Sequence, residues 1–128
     1  MKMSVLLDSH GWIEYFAEGP KASKYAKYVE AANPADYVTP SIILYEVYKR
    51  IKSVRGESVA LKSIAHIIGN TRQISIGGKT ALNAAEISMK TKLPMADALI
   101  KAVAEEQSAK IITGDSHFAG MKGVVFIE

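Results

Sequence analysis

The chain has 128 residues, 48% apolar and 23% charged, with 16 basic and 13 acidic side chains giving a formal net charge of +3 and a pI near 9.1. That composition is ordinary for a soluble globular protein, the mild basicity suits a polyanionic partner, and the absence of cysteine excludes disulfides, thiol nucleophiles and thiolate metal sites. The length fits a single domain over residues 1–128. No apolar run approaches the ~20 residues of a membrane span, and the apolar part of the N-terminus is too short for a signal peptide, so a cytoplasmic location is expected.

In chain order, Met3 to Leu7 reads as a buried strand closed by Asp8. Ser9 to Ala17 predicts a short helix ended by Gly19-Pro20, and Lys21 to Ala31 a second ended by Asn33-Pro34. Tyr37-Val38-Thr39 reads as a short strand that stops at Pro40. Ser41 is placed to cap a helix running to about Val54, and Gly56 separates it from another over Glu57 to Ile68. After a turn at Gly69-Asn70, a third strand is expected from Arg72 to Ile76. A helix from Lys79 to about Thr91, and one opened by Pro94 and ending near Ser108, precede strands at Lys110 to Thr113 and Val124 to Ile127.

Strands separated by helices in this way predict a three-layer α/β/α fold around a mostly parallel sheet. Right-handed crossovers then bring the C-terminal strand ends to one edge, where ligands of open α/β sheets bind. Asp8 and Asp115 fall at that edge. Four carboxylates, Asp8, Glu46, Asp97 and Asp115, would form an oxygen-rich pocket if the fold brings them together.

Each has a plainer explanation. Asp8 can serve as a helix N-cap, and Asp115 can close a turn with its own backbone after Gly114. Glu46 lies opposite the stripe Leu44, Val47, Tyr48, Ile51, so periodicity predicts a solvent-facing pair with Arg50. Asp97 stands in the first turn of a helix that is apolar nearly all round; it gains from the helix dipole, and Lys101 is placed to pair with it. Lys49, Arg50, Lys52 and Arg55 form one basic cluster, and Lys21, Lys24 and Lys27, interleaved with Tyr25 and Tyr28, another; each is readable as a solvated face or as a surface that touches phosphates or stacks bases. His10, His66 and His117 share no metal-ligand spacing. Gly78-Lys79-Thr80 imitates the end of a phosphate-binding loop, but Gln73 stands where that motif requires its first glycine.

Four stretches taken together resemble the successive motifs of PIN-domain ribonucleases, and most of all the VapC-type toxins of toxin-antitoxin pairs. They are Val5-Leu6-Leu7-Asp8-Ser9, Ser41-Ile42-Ile43-Leu44-Tyr45-Glu46, Pro94-Met95-Ala96-Asp97-Ala98-Leu99-Ile100, and Ile111-Ile112-Thr113-Gly114-Asp115-Ser116-His117-Phe118. The resemblance implies Mg²⁺- or Mn²⁺-dependent RNA cleavage. Asp8, Glu46, Asp97 and Asp115 match its acidic positions, and Thr113 is a supporting hydroxyl. It further implies a homodimer and a small antitoxin whose tail enters the groove. His10 departs from the family, which more often has Asn or Ser there.

The chemistry is consistent with that expectation. Hard cations favour oxygen ligands, and two carboxylates ~4 Å apart repel by ~4 kcal/mol at an effective dielectric of ~20, so four in one cleft should hold a proton or a cation. Asp8 and Asp97 are expected as the principal metal ligands, with Glu46 and Asp115 binding directly or through water. Lys49, Arg50 and Lys52 are expected to hold the RNA backbone. Two alternatives are a PIN-like module that binds RNA without cutting it and a receiver-like Mg²⁺-binding signalling domain. The receiver would want paired acids after the first strand and a lysine near the ends of the last strands, whereas Ser9 and His10 follow Asp8 and Lys110 begins its strand.

Overall fold

The computed structural model describes residues 3–128; Met1 and Lys2, which begin the N-terminal stretch weighed above as a signal, lie outside the described residues. Among the described residues, five strands run parallel. β1 (Ser4–Leu7) pairs with β4 (Ala109–Thr113), with Leu6 opposite Ile111 and Leu7 opposite Ile112, and β4 pairs with β5 (Val124–Phe126). β2 (Val38–Pro40) pairs with β3 (Arg72–Ile74). A single parallel bridge between Val5 and Tyr37, where the Val5 N–H donates to the Asp36 carbonyl at 2.7 Å, joins the two ladders. The spatial order is therefore β3-β2-β1-β4-β5. A receiver-like sheet would follow the order 2-1-3-4-5 instead.

Among the described residues six helices surround the sheet: α1 (Ser9–Phe16), α2 (Ala22–Glu30), α3 (Ser41–Arg55), α4 (Glu57–Asn70), α5 (Gly78–Thr91) and α6 (Met95–Glu106). α1 packs on α2 and α3, α3 packs on α4, and α5 packs on α6, which lies against β4. Neighbouring residues of a strand point to opposite faces, so the complete burial of both Leu6 and Leu7, and of both Ile111 and Ile112, means that the central strands are covered on both sides. This is the expected three-layer α/β/α arrangement. The buried Trp12 pins α1 to the end of β1 by donating its indole N–H to the Leu7 carbonyl at 3.1 Å.

The boundaries differ from the sequence expectation in ways that follow from pairing and capping. Pro40, in extended conformation, is the N-cap of α3, and no side chain caps this end; Ser41 is already helical because β2 runs straight into the helix. β3 stops at Ile74, short of Ile76, because its partner ends at Pro40, opposite Ile74, and offers no further edge. α4 continues through Gly69 to Asn70, whose amide donates to the His66 carbonyl, while the Thr71 hydroxyl donates to that of Ile67. Gly56 does separate α3 from α4, at φ +90, in the region that favours glycine.

Candidate metal centre

The chain runs from β1 outward to β2 and β3 on one side, then returns to place β4 on the other. The strand order reverses between β1 and β4, which is where ligands of doubly wound sheets bind. Asp8 follows β1 directly, its own N–H donating to the Ile112 carbonyl of β4 at 3.0 Å. Its side chain is 3% exposed as a residue and is held at both oxygens: Oδ1 accepts from the Ser9 N–H and Oδ2 from the Thr113 hydroxyl, each at 2.7 Å. The N-cap reading of Asp8 is therefore correct in geometry, although only one of its oxygens performs it.

Thr113, fully buried at the end of β4, joins the two strand-end acids. Its Oγ1 donates to Asp8 and accepts the Asp115 N–H at 3.0 Å. Asp115 then caps a 3-10 turn, Ser116–Phe118, by accepting the His117 N–H at 2.9 Å on Oδ1. Replacing Thr113 with the isosteric valine removes the donor from a buried carboxylate and the acceptor from a backbone amide. A loss of about 2 to 3 kcal/mol in urea unfolding is expected from the unpaired groups. A variant as stable as the parent would show that this hydroxyl organises nothing.

Asp97 enters from the first turn of α6, buried as expected, but Lys101 does not neutralise it. Lys101 Nζ lies 3.6 Å from Glu105 and donates to the Lys122 carbonyl. The partner of Asp97 is instead His117, whose Nδ1 stands 3.0 Å from Asp97 Oδ2 and 3.0 Å from Asp115 Oδ1. Glu46 also departs from its periodicity-based assignment. Ile43, Val47 and Ile51 form the buried stripe of α3, and Glu46 turns its partly buried carboxyl toward the acids. Among the described residues no ion pair joins it to Arg50, and its Oε1 is buried without a hydrogen-bond partner.

The electrostatics place the four acids within one field. Burial is the first cause that raises the Asp8 carboxyl above its ordinary range, with the Asp115 charge adding to it and the hydrogen bonds from Thr113 and Ser9 opposing. Glu46 is raised by burial and then by the charge of Asp8, with a smaller push from Asp115. Asp97 is raised to about 7 by burial, by the charge of Asp115 and a hydrogen bond with it, and by Asp8, while His117 acts the other way. Crowded carboxylates of this kind take up protons or a cation. The residues fit a divalent metal because the donors are hard oxygens and one buried acceptor, Glu46 Oε1, lacks a donor.

A cavity of about 690 Å³ is lined by Glu46 but by none of the three aspartates; it reaches their neighbours Ser9 and Gly114, and His10, Lys21, Tyr45, Lys49 and Arg50 also line it. The basic clusters therefore divide. Lys49 and Arg50 reach the cavity, whereas Lys52 does not line it and lies 3.8 Å from Glu57 and over the Tyr48 ring. Lys21 reaches it too, while Lys24 donates to the Glu128 carbonyl and Lys27 sits over Tyr28. The sequence singled out Lys21 within a cluster able to touch phosphates, but gave His117 no role in the site. Only the position of His117 two residues after Asp115 offered a signal, since a tight turn there brings it back over the acid.

No helix of the described residues is long and apolar enough to cross a membrane. No curated protein sequence matches the chain. The family model for the PIN domain matches residues 5–124. Among solved structures, a toxin-antitoxin complex from Klebsiella pneumoniae is similar at 26% identity and a TM-score of 0.77, covering 95% of this chain and 96% of the other. Mycobacterium tuberculosis VapC20, described as a Sarcin-Ricin loop cleaving toxin, is 19% identical with a TM-score of 0.74 over 91% of this chain and 95% of that one. DNA-bound VapBC from Salmonella typhimurium is 14% identical with a TM-score of 0.73, covering 98% of each chain. With its five-strand parallel order and acids at the strand ends, the chain belongs to the PIN domain family, and within that family it resembles the VapC-type toxins of toxin-antitoxin pairs.

Proposed function

We propose that this protein is a Mg²⁺- or Mn²⁺-dependent endoribonuclease that acts as the toxin of a toxin-antitoxin pair. The observation that carries the reading is a linked set of acids: Thr113 ties Asp8 to the Asp115 backbone, His117 Nδ1 stands 3.0 Å from both Asp97 and Asp115, and Glu46, whose carboxyl is raised by burial and by the charge of Asp8, keeps Oε1 buried and unpartnered. Asp8 and Asp97 are the principal ligands in this reading, and Glu46 and Asp115 bind directly or through water. When bound, such a cation lowers the pKa of a water and neutralises charge building on phosphate oxygens. The chain's own contribution is positional. Thr113 and the Ser9 amide fix the Asp8 oxygens, the 3-10 turn fixes Asp115, and the buried helix α6 fixes Asp97.

The cavity that Glu46 lines suits an RNA strand. Lys49, Arg50 and Lys21, all on its wall, supply positive charge for phosphates. Tyr45, 60% exposed with Lys49 Nζ 5.5 Å from its ring centre, offers a face on which an unpaired base can stack. The described loop-cleaving activity of VapC20 and the antitoxin-bound state of the Klebsiella structure support an RNA substrate and a small antitoxin partner here. A homodimer and a cytoplasmic location belong to the same reading.

Incubation of pure protein with mixed RNAs tests it. Cleavage in Mn²⁺ or Mg²⁺ that stops in chelator and returns on metal addition is expected; binding without cutting would favour a non-catalytic PIN-like module. Charge reversal at both Lys49 and Arg50 should weaken RNA binding and reduce the slope of log affinity against log salt by about 1 to 2. An unaltered slope would mark this cluster as a solvated face.

A further inference from the structure

We propose that His117 is a nitrogen ligand of the metal centre, so that the site prefers a transition dication such as Mn²⁺ or Co²⁺ to Mg²⁺. The inference rests on the metal-dependent reading above and adds to it a donor that the four-acid pattern does not contain. Three side chains, Asp97, Asp115 and His117, place one potential ligand atom each within 4.8 Å of one another. The histidine Nδ1 is equidistant, at 3.0 Å, from an oxygen of each carboxylate. Two ligands at right angles around an ion with bonds of ~2.1 Å stand ~3.0 Å apart, so these spacings are those of adjacent corners of one octahedron.

The ring is oriented for this role. Asp115 Oδ1 accepts the His117 backbone N–H at 2.9 Å and Phe118 next to it is fully buried, so the turn presents the ring to the acids from a fixed backbone. The side chain is 57% exposed, so solvent can satisfy one ring nitrogen while Nδ1 faces the two carboxylates. Carboxylates alone suit Mg²⁺ and Mn²⁺ alike, and an added imidazole shifts preference toward transition dications, which accept nitrogen ligands more readily than Mg²⁺.

The competing explanation is that His117 is only a hydrogen-bonded or charged neighbour that gives way when metal binds. Pulsed electron paramagnetic resonance on Mn²⁺-loaded full-length protein separates the two, because a coordinated imidazole modulates the echo through its ¹⁴N nucleus. The expected result is ¹⁴N modulation in the parent and in His10→Gln, lost in His117→Gln, with the preference for Co²⁺ over Mg²⁺ in calorimetric titration falling on the order of tenfold in that variant. Mn²⁺ bound in an Asp97-dependent manner but without ¹⁴N modulation would overturn the histidine ligand and leave the four-acid site standing. Modulation that survives His117→Gln and vanishes in His10→Gln would assign the nitrogen to the wrong histidine for this proposal. Failure of the parent to bind Mn²⁺ at all would overturn the metal-dependent reading together with it.

Discussion

Asp97→Asn and Asp8→Asn should each lower RNA cleavage by roughly three orders of magnitude or more, while the metal-free protein melts no lower than the parent. The two halves of this expectation have one cause. A buried carboxylate that faces Asp115 and Asp8 destabilises the metal-free fold when ionised, and the same carboxylate is what attracts a dication. Asn at position 97 keeps the shape and removes the charge. A gain of about 1 to 2 kcal/mol is expected in chelator at neutral pH, or roughly 3 to 6 °C for each kcal/mol in a chain of this size. Asp8→Asn should gain less. Its two oxygens accept from the Ser9 N–H and the Thr113 hydroxyl, and an amide supplies only one acceptor, so one of those contacts is lost or must reorient. Full activity in either variant would remove that residue from the site; a large fall in metal-free melting temperature for Asp97→Asn would contradict the electrostatic account.

The pH dependence of stability carries the second large effect. Asp97 is raised from 3.8 to about 7, so the folded protein holds a proton that the unfolded chain releases. Where the native state binds more protons, stability falls as pH rises. The contribution is complete below pH ~4 and is lost as pH climbs through about 7, and the upward shifts of Asp8 and Glu46 act in the same direction. A decline of a few kcal/mol between pH 4 and 8 is expected in chelator. Mn²⁺ should reverse the trend: ligands must be deprotonated to bind it, so its stabilisation, RT ln(1 + [metal]/Kd), grows with pH. Urea unfolding at pH 4.5, 6 and 8, with and without Mn²⁺, reads both curves. Equal stability across this range in chelator would mean that the carboxyls do not share a field, and equal stabilisation by Mn²⁺ at all three pH values would place its binding elsewhere.

Much of the fold was legible because local signals and tertiary demands agree. Apolar runs at Met3 to Leu7 and Lys110 to Thr113 became adjacent central strands, and the proline and glycine punctuation located most helix ends. The errors lie where a partner strand or a side-chain cap decides. β3 stops where β2 ends, and α4 runs through Gly69 because Asn70 and Thr71 satisfy its last carbonyls. In the site, Asp8 and Asp115 could be placed from strand ends alone. Glu46 could not, since the helical wheel shows which residues enter the core but not what borders the other face. His117 was invisible for a related reason. Its closeness to Asp97 comes from a 3-10 turn and a crossover, neither of which has a spacing in sequence.

The most direct measurement is the anomalous difference map of a crystal soaked in Mn²⁺. A peak lodged among the carboxyls of Asp8, Glu46, Asp97 and Asp115, at the C-terminal ends of β1 and β4, is expected. A Mn²⁺ peak found only outside that cluster, with the four carboxyls unmoved and protonated together, would contradict this expectation.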